Sequence, residues 1–240
     1  NIQTAAFDGE GRLWVACGDR GLVLYRPSSD DFDRFMTEED GRRVMVSAIF
    51  SDKSGGLWLG FTPGGVAYLD RYASAFRNYS HEKGNPDSIS NQEVLALAED
   101  RHKNLWIGTR GGLNYLNRET GKIIRYIHDP GDPKSLPSQA ISSILVEDDR
   151  VWVGTTWSGI GLLDLESQTF KTYKSSPDDQ RSLANREVWS LFKDSRGVIW
   201  VGSNAGGLMR YHPERDDFFR YRLQAPHMAN AGRAMSISED

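Results

Sequence analysis

The sequence has little of what would tie it to several large classes of protein. It has a single cysteine, Cys17, in 240 residues, so no disulfide can form within one chain. The net charge is −4, and no run of Lys and Arg is long enough to follow a phosphate backbone, so nucleic acid is not an expected partner. Runs of about 18 apolar residues are also missing, so no direct membrane insertion is expected.

What the sequence does contain is a repeated strand–turn–strand unit, clearest at residues 104–117, NLWIGTRGGLNYLN. A tryptophan marks the unit in each of five copies: Trp14, Trp58, Trp106, Trp152 and Trp200. A period of roughly 40–50 residues is typical of a repeat array. Because neighbouring repeats bury their apolar faces against each other, we expect all five tryptophans to be mostly buried.

Each repeat predicts four short strands. The first carries apolar residues three apart and ends near an acid, as Val94 and Leu97 do before Asp100. An Asp-x-x-Gly sequence comes next and predicts a tight turn, since glycine supplies a positive φ and aspartate bonds its own backbone. The alternative, a calcium loop, would need further oxygen ligands that are missing. The fourth strand shows an aromatic or apolar pair three apart, such as Phe170 and Tyr173.

Four antiparallel strands per repeat predict an all-β fold made of β-propeller blades. We place the blades at about 1–43, 44–91, 92–138, 139–185 and 186–232, with the first strand of a further blade at 233–240. Since both ends fall in equivalent strands, we expect part of a seven-bladed array.

Residues 105–148 resemble the two-component regulator propeller repeat, and the resemblance covers all 240 residues and recurs five times. The shared marks are the (Leu/Ile)-Trp-(Ile/Val)-Gly-Thr strand, the Gly-Gly-Leu turn and the loop DPKSL at 132–136. The sequence departs from the pattern at Ala16-Cys17 and at an inserted turn, 156–161. The resemblance implies the periplasmic sensor of a hybrid histidine kinase or diguanylate cyclase, which binds a signal and passes it to output domains.

Propeller topology places the residues just before strand one and the turns after strand two on one face, around a channel mouth. The polar or aromatic residues predicted there, which we call the mouth set, are Arg43, Gln92, Glu93, Arg110, Gln139, Trp157, Arg186, Glu187, Asn204 and Arg233. Amides, guanidinium groups and an indole suit a small polar molecule or a glycan. The alternative for each is a solvated residue capping a strand end, and for Trp157 packing against a neighbouring loop.

The sequence offers no arrangement typical of catalysis or of a bound cofactor or metal. All five histidines fall in predicted loops or turns, and a catalytic triad needs a base beside a nucleophile. We therefore expect a module that is not an enzyme, has no cofactor, and forms a homodimer where strand edges stay open. Two alternatives remain: a streptogramin-lyase-like propeller enzyme, and a passive interaction scaffold of the WD-repeat kind.

Overall fold

The computed structural model describes residues 2–17, 21–36, 38–39, 42–43, 45–69, 76–221 and 233–239. Within these ranges the chain forms 22 strands and no helix. None of the described segments is therefore a helix long and apolar enough to cross a membrane.

Twenty of the strands form five four-stranded antiparallel sheets, each in chain order. The first sheet is β1 (Ile2–Phe7), β2 (Leu13–Cys17), β3 (Gly21–Arg26) and β4 (Asp31–Met36); the second is β7 (Met45–Ser51), β8 (Leu57–Thr62), β9 (Gly65–Leu69) and β10 (Phe76–Tyr79). The third is β11 (Val94–Glu99), β12 (Leu105–Thr109), β13 (Gly112–Leu116) and β14 (Ile123–Tyr126). The fourth is β15 (Ile141–Val146), β16 (Arg150–Thr155), β17 (Ile160–Asp164) and β18 (Thr169–Tyr173); the fifth is β19 (Val188–Lys193), β20 (Ile199–Ser203), β21 (Gly207–His212) and β22 (Asp217–Tyr221).

A short hairpin, β5 (Glu38–Glu39) with β6 (Arg42–Arg43), lies between the first two sheets in the sequence. The predicted all-β architecture of propeller blades is confirmed in every repeat. The chain divides into two compact units, Asn1–Arg125 and Tyr126–Asp240.

The first strand of every sheet carries a β-bulge after its first or second residue, as between Val94 and Ala96. A bulge sets two residues opposite one, so residues three apart come to share a face. Val94 and Leu97 accordingly pack in one apolar cluster, and so do Val188 and Leu191. The spacing of three in the sequence is thus explained by the bulge.

The repeat tryptophans pack between neighbouring sheets inside each unit. In the first unit, Trp58 packs with Leu105 and Ile107 of the next sheet, and in the second unit Trp152 packs with Ile199 and other residues of the fifth sheet. Trp14, Trp58, Trp106 and Trp152 are at most 2% exposed and Trp200 is intermediate, so the five tryptophans are mostly buried as predicted. Trp200 is the least buried of them: its ring lies 5.5 Å from that of Tyr221, and no described sheet follows its own.

The glycine of the Leu-Trp-x-Gly motif lets the next repeat approach closely. A Cβ on Gly60 would lie 2.7 Å from Val94 Cγ1, and one on Gly154 would lie 2.8 Å from Val188 Cγ1. Both valines begin the first strand of the following sheet. The motif therefore holds glycine because backbone and side chain meet there without room for a methyl group.

The turn aspartate also anchors the tryptophan of its own repeat. Asp52 Oδ1 accepts from Ser54 N and Gly56 N, both at 2.9 Å, while Oδ2 accepts from Trp58 Nε1 at 3.1 Å. The equivalent bonds join Asp8 to Trp14 and Asp194 to Trp200. In the fourth repeat, where the turn is one residue shorter, Glu147 takes this role at 2.8 Å from Trp152 Nε1. The longer carboxylate compensates for the deletion.

The described residues 233–239 form no ladder with other described residues, so the first strand of a further blade at 233–240 stays a prediction. A strand needs a hydrogen-bonded partner, and none among the described residues pairs with this segment in register. The segment nevertheless follows the edge of the fifth sheet. Ala234 N donates to Ser203 O at 3.1 Å, and Ser195 N donates to Glu239 Oε2 at 2.7 Å, as Lys53 N does to Glu99 in the first unit.

Candidate functional site

In the first unit, the residues before β11 and the turn after β12 meet at one edge of the third sheet. Asn91 Oδ1 accepts from Glu93 N at 2.8 Å, which turns the chain into the strand. Arg110 N donates to Glu93 O at 3.0 Å, and the two side chains form an ion pair. The structure therefore brings Glu93 and Arg110 of the mouth set together.

In the second unit, the same edge of the fourth and fifth sheets carries an exposed indole beside a guanidinium. Trp157 lies in the inserted turn after β16 and is 59% exposed. The Arg186 guanidinium carbon lies 5.7 Å from the centroid of the Trp157 ring, within the range of a cation–π contact. Gly159 N donates to Arg186 O at 2.8 Å, so the inserted turn is fixed to the segment that precedes β19.

Glu187 and Asn204 complete this edge. Asn204 Nδ2 donates to Glu187 Oε2 at 2.6 Å, and Asn204 N donates to Glu187 O at 3.0 Å. Four members of the mouth set, Trp157, Arg186, Glu187 and Asn204, thus form two contacting pairs in the second unit. We call these four residues the indole edge.

Among the side chains that the structure describes, no other member of the mouth set forms a hydrogen bond or an ion pair. Gln92 is exposed and takes part through its backbone, since its carbonyl accepts from Gly64 N and Gly65 N. Gln139 and Arg233 are exposed. Arg43 lies in β6, and its side chain falls outside the described residues.

The opposite edge of the second unit has a cleft of about 590 Å³ that the sequence did not indicate. It is rich in cations, and most of these have carboxylate partners, as Lys193 does in Glu147 and Arg196 in Asp194, whereas Arg210 contacts His212. Burial alone would raise the pKa of Glu147, but hydrogen bonds from Lys193 and Trp152 hold it below its usual range. Charges neutralised in this way leave less attraction for an anionic ligand.

The prediction that all five histidines lie in loops or turns is wrong for His212, which ends β21. His81 and His128 each place Nδ1 within 2.8 Å of a loop carbonyl, of Ile89 and Leu136 respectively. His102 and His212 each contact an arginine side chain. His227 lies outside the described residues. Among the described histidines, therefore, none has a hydrogen bond to a carboxylate.

Sequence reasoning missed how two of the long loops are held. Arg125, on β14, donates to Ser88 O, Asn85 O and Ile89 O at 2.5, 2.6 and 3.1 Å. Arg220, on β22, binds the loop before β19 through Ser182 O and Leu183 O in the same way. The signal was present, because each arginine directly precedes the tyrosine that ends the fourth strand.

Comparison with known proteins supports the repeat. Residues 88–111 and 182–205 match the family model described as two component regulator propeller. Both segments run from the Ser-Ile or Ser-Leu of a long loop through the Leu-Trp-x-Gly or Ile-Trp-x-Gly strand. The predicted resemblance is confirmed for these two repeats. No curated protein sequence matches the chain.

Solved structures confirm the propeller fold. The chain is similar to the extracellular domain of a protein described as a hybrid two-component system from B. thetaiotaomicron, with a TM-score of 0.77 and 22% identity over 90% of this chain. It is also similar to PorZ, a surface component of the type-IX secretion system of Porphyromonas gingivalis, with a TM-score of 0.67 and 19% identity over 88% of this chain. The chain spans 29% and 32% of the lengths of these two neighbours.

Propeller enzymes are similar as well. Virginiamycin B lyase from Staphylococcus aureus has a TM-score of 0.68 and 15% identity over 94% of this chain, which spans 71% of the lyase. At these identities the likeness defines the fold and leaves the activity open.

Proposed function

We propose that this chain is part of an extracytoplasmic sensor propeller that binds a small polar molecule or a glycan and transmits the signal to output domains. The support is the match to the two-component regulator propeller model in two repeats, together with a neighbour described as the extracellular domain of a hybrid two-component system. A ligand shifts a receptor between states only by its differential affinity for them. The output domain, kinase or cyclase, would read that shift.

The observation that carries the proposed binding site is the indole edge. Trp157 lies outside the repeat pattern, is 59% exposed and sits on a turn fixed to the Arg186 backbone. An exposed indole face stacks on sugar rings, while guanidinium, carboxylate and amide groups beside it fix orientation through directed hydrogen bonds. Because Trp157 lies on a turn that is hydrogen-bonded to a neighbouring segment, less conformational entropy is lost when a ligand binds.

The test is calorimetric titration of the complete propeller with a panel of neutral and acidic disaccharides. For a disaccharide that binds, Trp157→Ala is expected to weaken affinity about five- to thirtyfold, because it removes a stacking surface worth on the order of 1 to 2 kcal/mol. Arg186→Ala is expected to weaken it as well.

Phe219→Ala is the matched control, since Phe219 is an exposed aromatic residue, 49% exposed, on β22 of the same unit. It should leave affinity unchanged. If Trp157→Ala and Phe219→Ala bind the disaccharide equally well, the indole edge is not the binding site.

The lyase alternative is tested separately. A streptogramin-type lyase needs a histidine and an acid together, and the described histidines contact backbone carbonyls or arginines instead. We therefore propose that the chain does not turn over substrate. Incubation with a cyclic depsipeptide and Mg²⁺, followed by mass spectrometry, should leave the depsipeptide intact. Linear product that disappears on substitution of a histidine would overturn this proposal.

A further inference from the structure

The long loops before the first strands of the third and fifth sheets are each bound by an arginine. Arg220 Nε donates to Ser182 O at 3.0 Å, and its Nη2 donates to Asp179 O and Leu183 O at 2.8 and 3.0 Å. Arg125 binds the equivalent oxygens of Ser88, Asn85 and Ile89. Both arginines also contact the hydroxyl of the loop serine, at 2.7 and 2.8 Å. Two repeats thus contain the same guanidinium site.

The repeat between them lacks the arginine. The fourth strands end Ile-Arg-Tyr126, Lys-Thr-Tyr173 and Phe-Arg-Tyr221, so Thr172 stands where the guanidinium belongs. Opposite Thr172 in the β17–β18 ladder is Gly161, whereas Met209 is opposite Arg220. Thr172 is therefore smaller than its counterparts, whereas the space beside Gly161 is filled by Pro137, whose Cδ would lie 2.8 Å from a Cβ placed on that glycine.

The loop that the missing arginine would hold keeps its conformation. Ser135 Oγ donates to Asp129 O and Asp132 O at 2.9 and 2.8 Å, just as Ser182 Oγ donates to Ser176 O and Asp179 O. The fourth strand of each sheet binds its loop in the same way: Phe170 N donates to Lys134 O, and Phe218 N to Arg181 O, at 2.8 Å in each case. The turn around Asp132 and Ser135 is therefore hydrogen-bonded as in the fifth repeat, and His128 Nδ1 lies 2.7 Å from Leu136 O as His81 Nδ1 lies 2.8 Å from Ile89 O in the third.

A cavity of about 530 Å³ lies at this position. Its lining includes Thr172, Asp132, Ser135 and Leu136, the residues that correspond to the guanidinium site of the flanking repeats. Asp129 adds a second carboxylate to the lining, beside that of Asp132, and Lys174 adds an amino group. Apart from His128 and Lys174, the lining offers carboxylate, hydroxyl and carbonyl oxygens, which favours a planar cation with several N–H donors.

We propose that this cavity, called the Thr172 cavity, is a binding site for the guanidinium group of a small molecule. The two flanking repeats provide the observation that points to this ligand, because the same backbone oxygens bind an arginine side chain there. The proposal does not depend on the indole edge or on a sensing function. Ser158 lines the cavity and adjoins Trp157, but the predicted contacts of the guanidinium are with the loop and Thr172.

The test is a titration of the isotopically labelled chain with methylguanidinium, followed by backbone amide NMR. Saturable shifts are expected at Gly131, Ser135, Leu136 and Thr172 over about 1 to 50 mM, the range of a weak single-fragment site. Methylurea, a neutral molecule of nearly the same shape, should bind at least about tenfold more weakly and so give smaller shifts at the same concentration. The reason is that charged hydrogen bonds are roughly twice as strong as neutral ones. Absence of saturable shifts in the unmodified chain, or equal shifts with methylurea, would overturn the proposal.

Thr172→Arg supplies the missing side chain and is expected to abolish the methylguanidinium shifts. Thr120→Arg, at an exposed turn threonine, is the matched control for an added arginine and should leave them unchanged. Trp157→Ala should also leave them unchanged, which separates this site from the indole edge. If methylguanidinium binds Thr172→Arg as well as it binds the unmodified chain, the cavity is not its site.

Arg220→Thr provides an independent check, because it creates the same vacancy in the fifth sheet. It is expected to lower the thermal midpoint, and methylguanidinium should restore part of that loss where methylurea does not. A midpoint that methylguanidinium fails to raise would contradict the idea that the loop oxygens form a preorganised guanidinium site.

Discussion

The bond between the turn aspartate and the repeat tryptophan predicts a large cost for removing one carboxylate. Asp52 is 5% exposed and accepts from the backbone N–H groups of its own turn and from Trp58. Its Oδ2 also lies 2.8 Å from Arg118 Nη1, which comes from the third sheet. The Arg118 guanidinium carbon lies 5.1 Å from the Trp58 ring centroid and 4.8 Å from that of Tyr68. One carboxylate thus joins a turn, a core indole and the next blade.

Asp52→Ala leaves the Trp58 indole N–H and the Arg118 guanidinium without this acceptor. Breaking a buried charge pair by removing one partner costs about 3 to 5 kcal/mol, and we expect about 3 kcal/mol because Arg118 keeps Glu99 nearby. Asp52→Asn retains an oxygen for the turn and loses the charge, so we expect about 1 to 2 kcal/mol.

The assay is urea unfolding followed by tryptophan fluorescence, with the free energy of unfolding extrapolated to water. Asp164→Ala is the matched control, because Asp164 also accepts from its own turn, from Ser167 N and Oγ at 2.7 and 2.8 Å, but is exposed. It should cost no more than about 1 kcal/mol. If Asp52→Ala costs no more than Asp164→Ala, the carboxylate does not stabilise the blade as argued.

Two further predictions concern pH and packing. A hydrogen bond from the Trp200 indole lowers the pKa of Asp194 to about 2, so the unfolded chain binds the proton first as pH falls. The stability from this group should be present above about pH 4 and be lost between about pH 4 and 2, and Asp194→Asn should reduce that dependence in far-ultraviolet circular dichroism. Gly60→Ala should lower the free energy of unfolding by about 1 to 3 kcal/mol through its clash with Val94, whereas Gly131→Ala, near only an Asp129 side-chain oxygen, should change little. Equal effects of the two alanines in urea unfolding would refute the packing argument.

The fold was predictable because its signals are local and repeat five times. Strand four is marked by pairs such as Phe170 and Tyr173, and the tight turn by Asp-x-x-Gly, and both are formed. The tryptophan bond was missed although its signal is visible, since the turn aspartate precedes the tryptophan by a constant interval in Asp52–Trp58 and Asp194–Trp200. The exposure of Trp200 could not be foreseen from its motif, because it depends on whether another blade packs against the fifth sheet.

The candidate site was predictable only as a set of backbone positions. Repeat alignment placed Glu93 and Arg110 at one edge, but their ion pair depends on side-chain directions that alignment does not give. The exposure of Trp157 agrees with its position outside the repeat. The Thr172 cavity emerges only when two neighbouring repeats are compared in three dimensions, since a missing side chain has no motif of its own.

Ligand binding at the indole edge is the proposal on which the sensing function rests. Hydrogen–deuterium exchange of the complete propeller, measured with and without a disaccharide that binds in the calorimetric panel, locates the bound ligand without any substitution. We predict slower exchange in peptides that cover residues 155–160, 185–188 and 204–207. Slower exchange confined to residues 147–150 and 193–198, at the cleft on the opposite edge, would contradict the proposal.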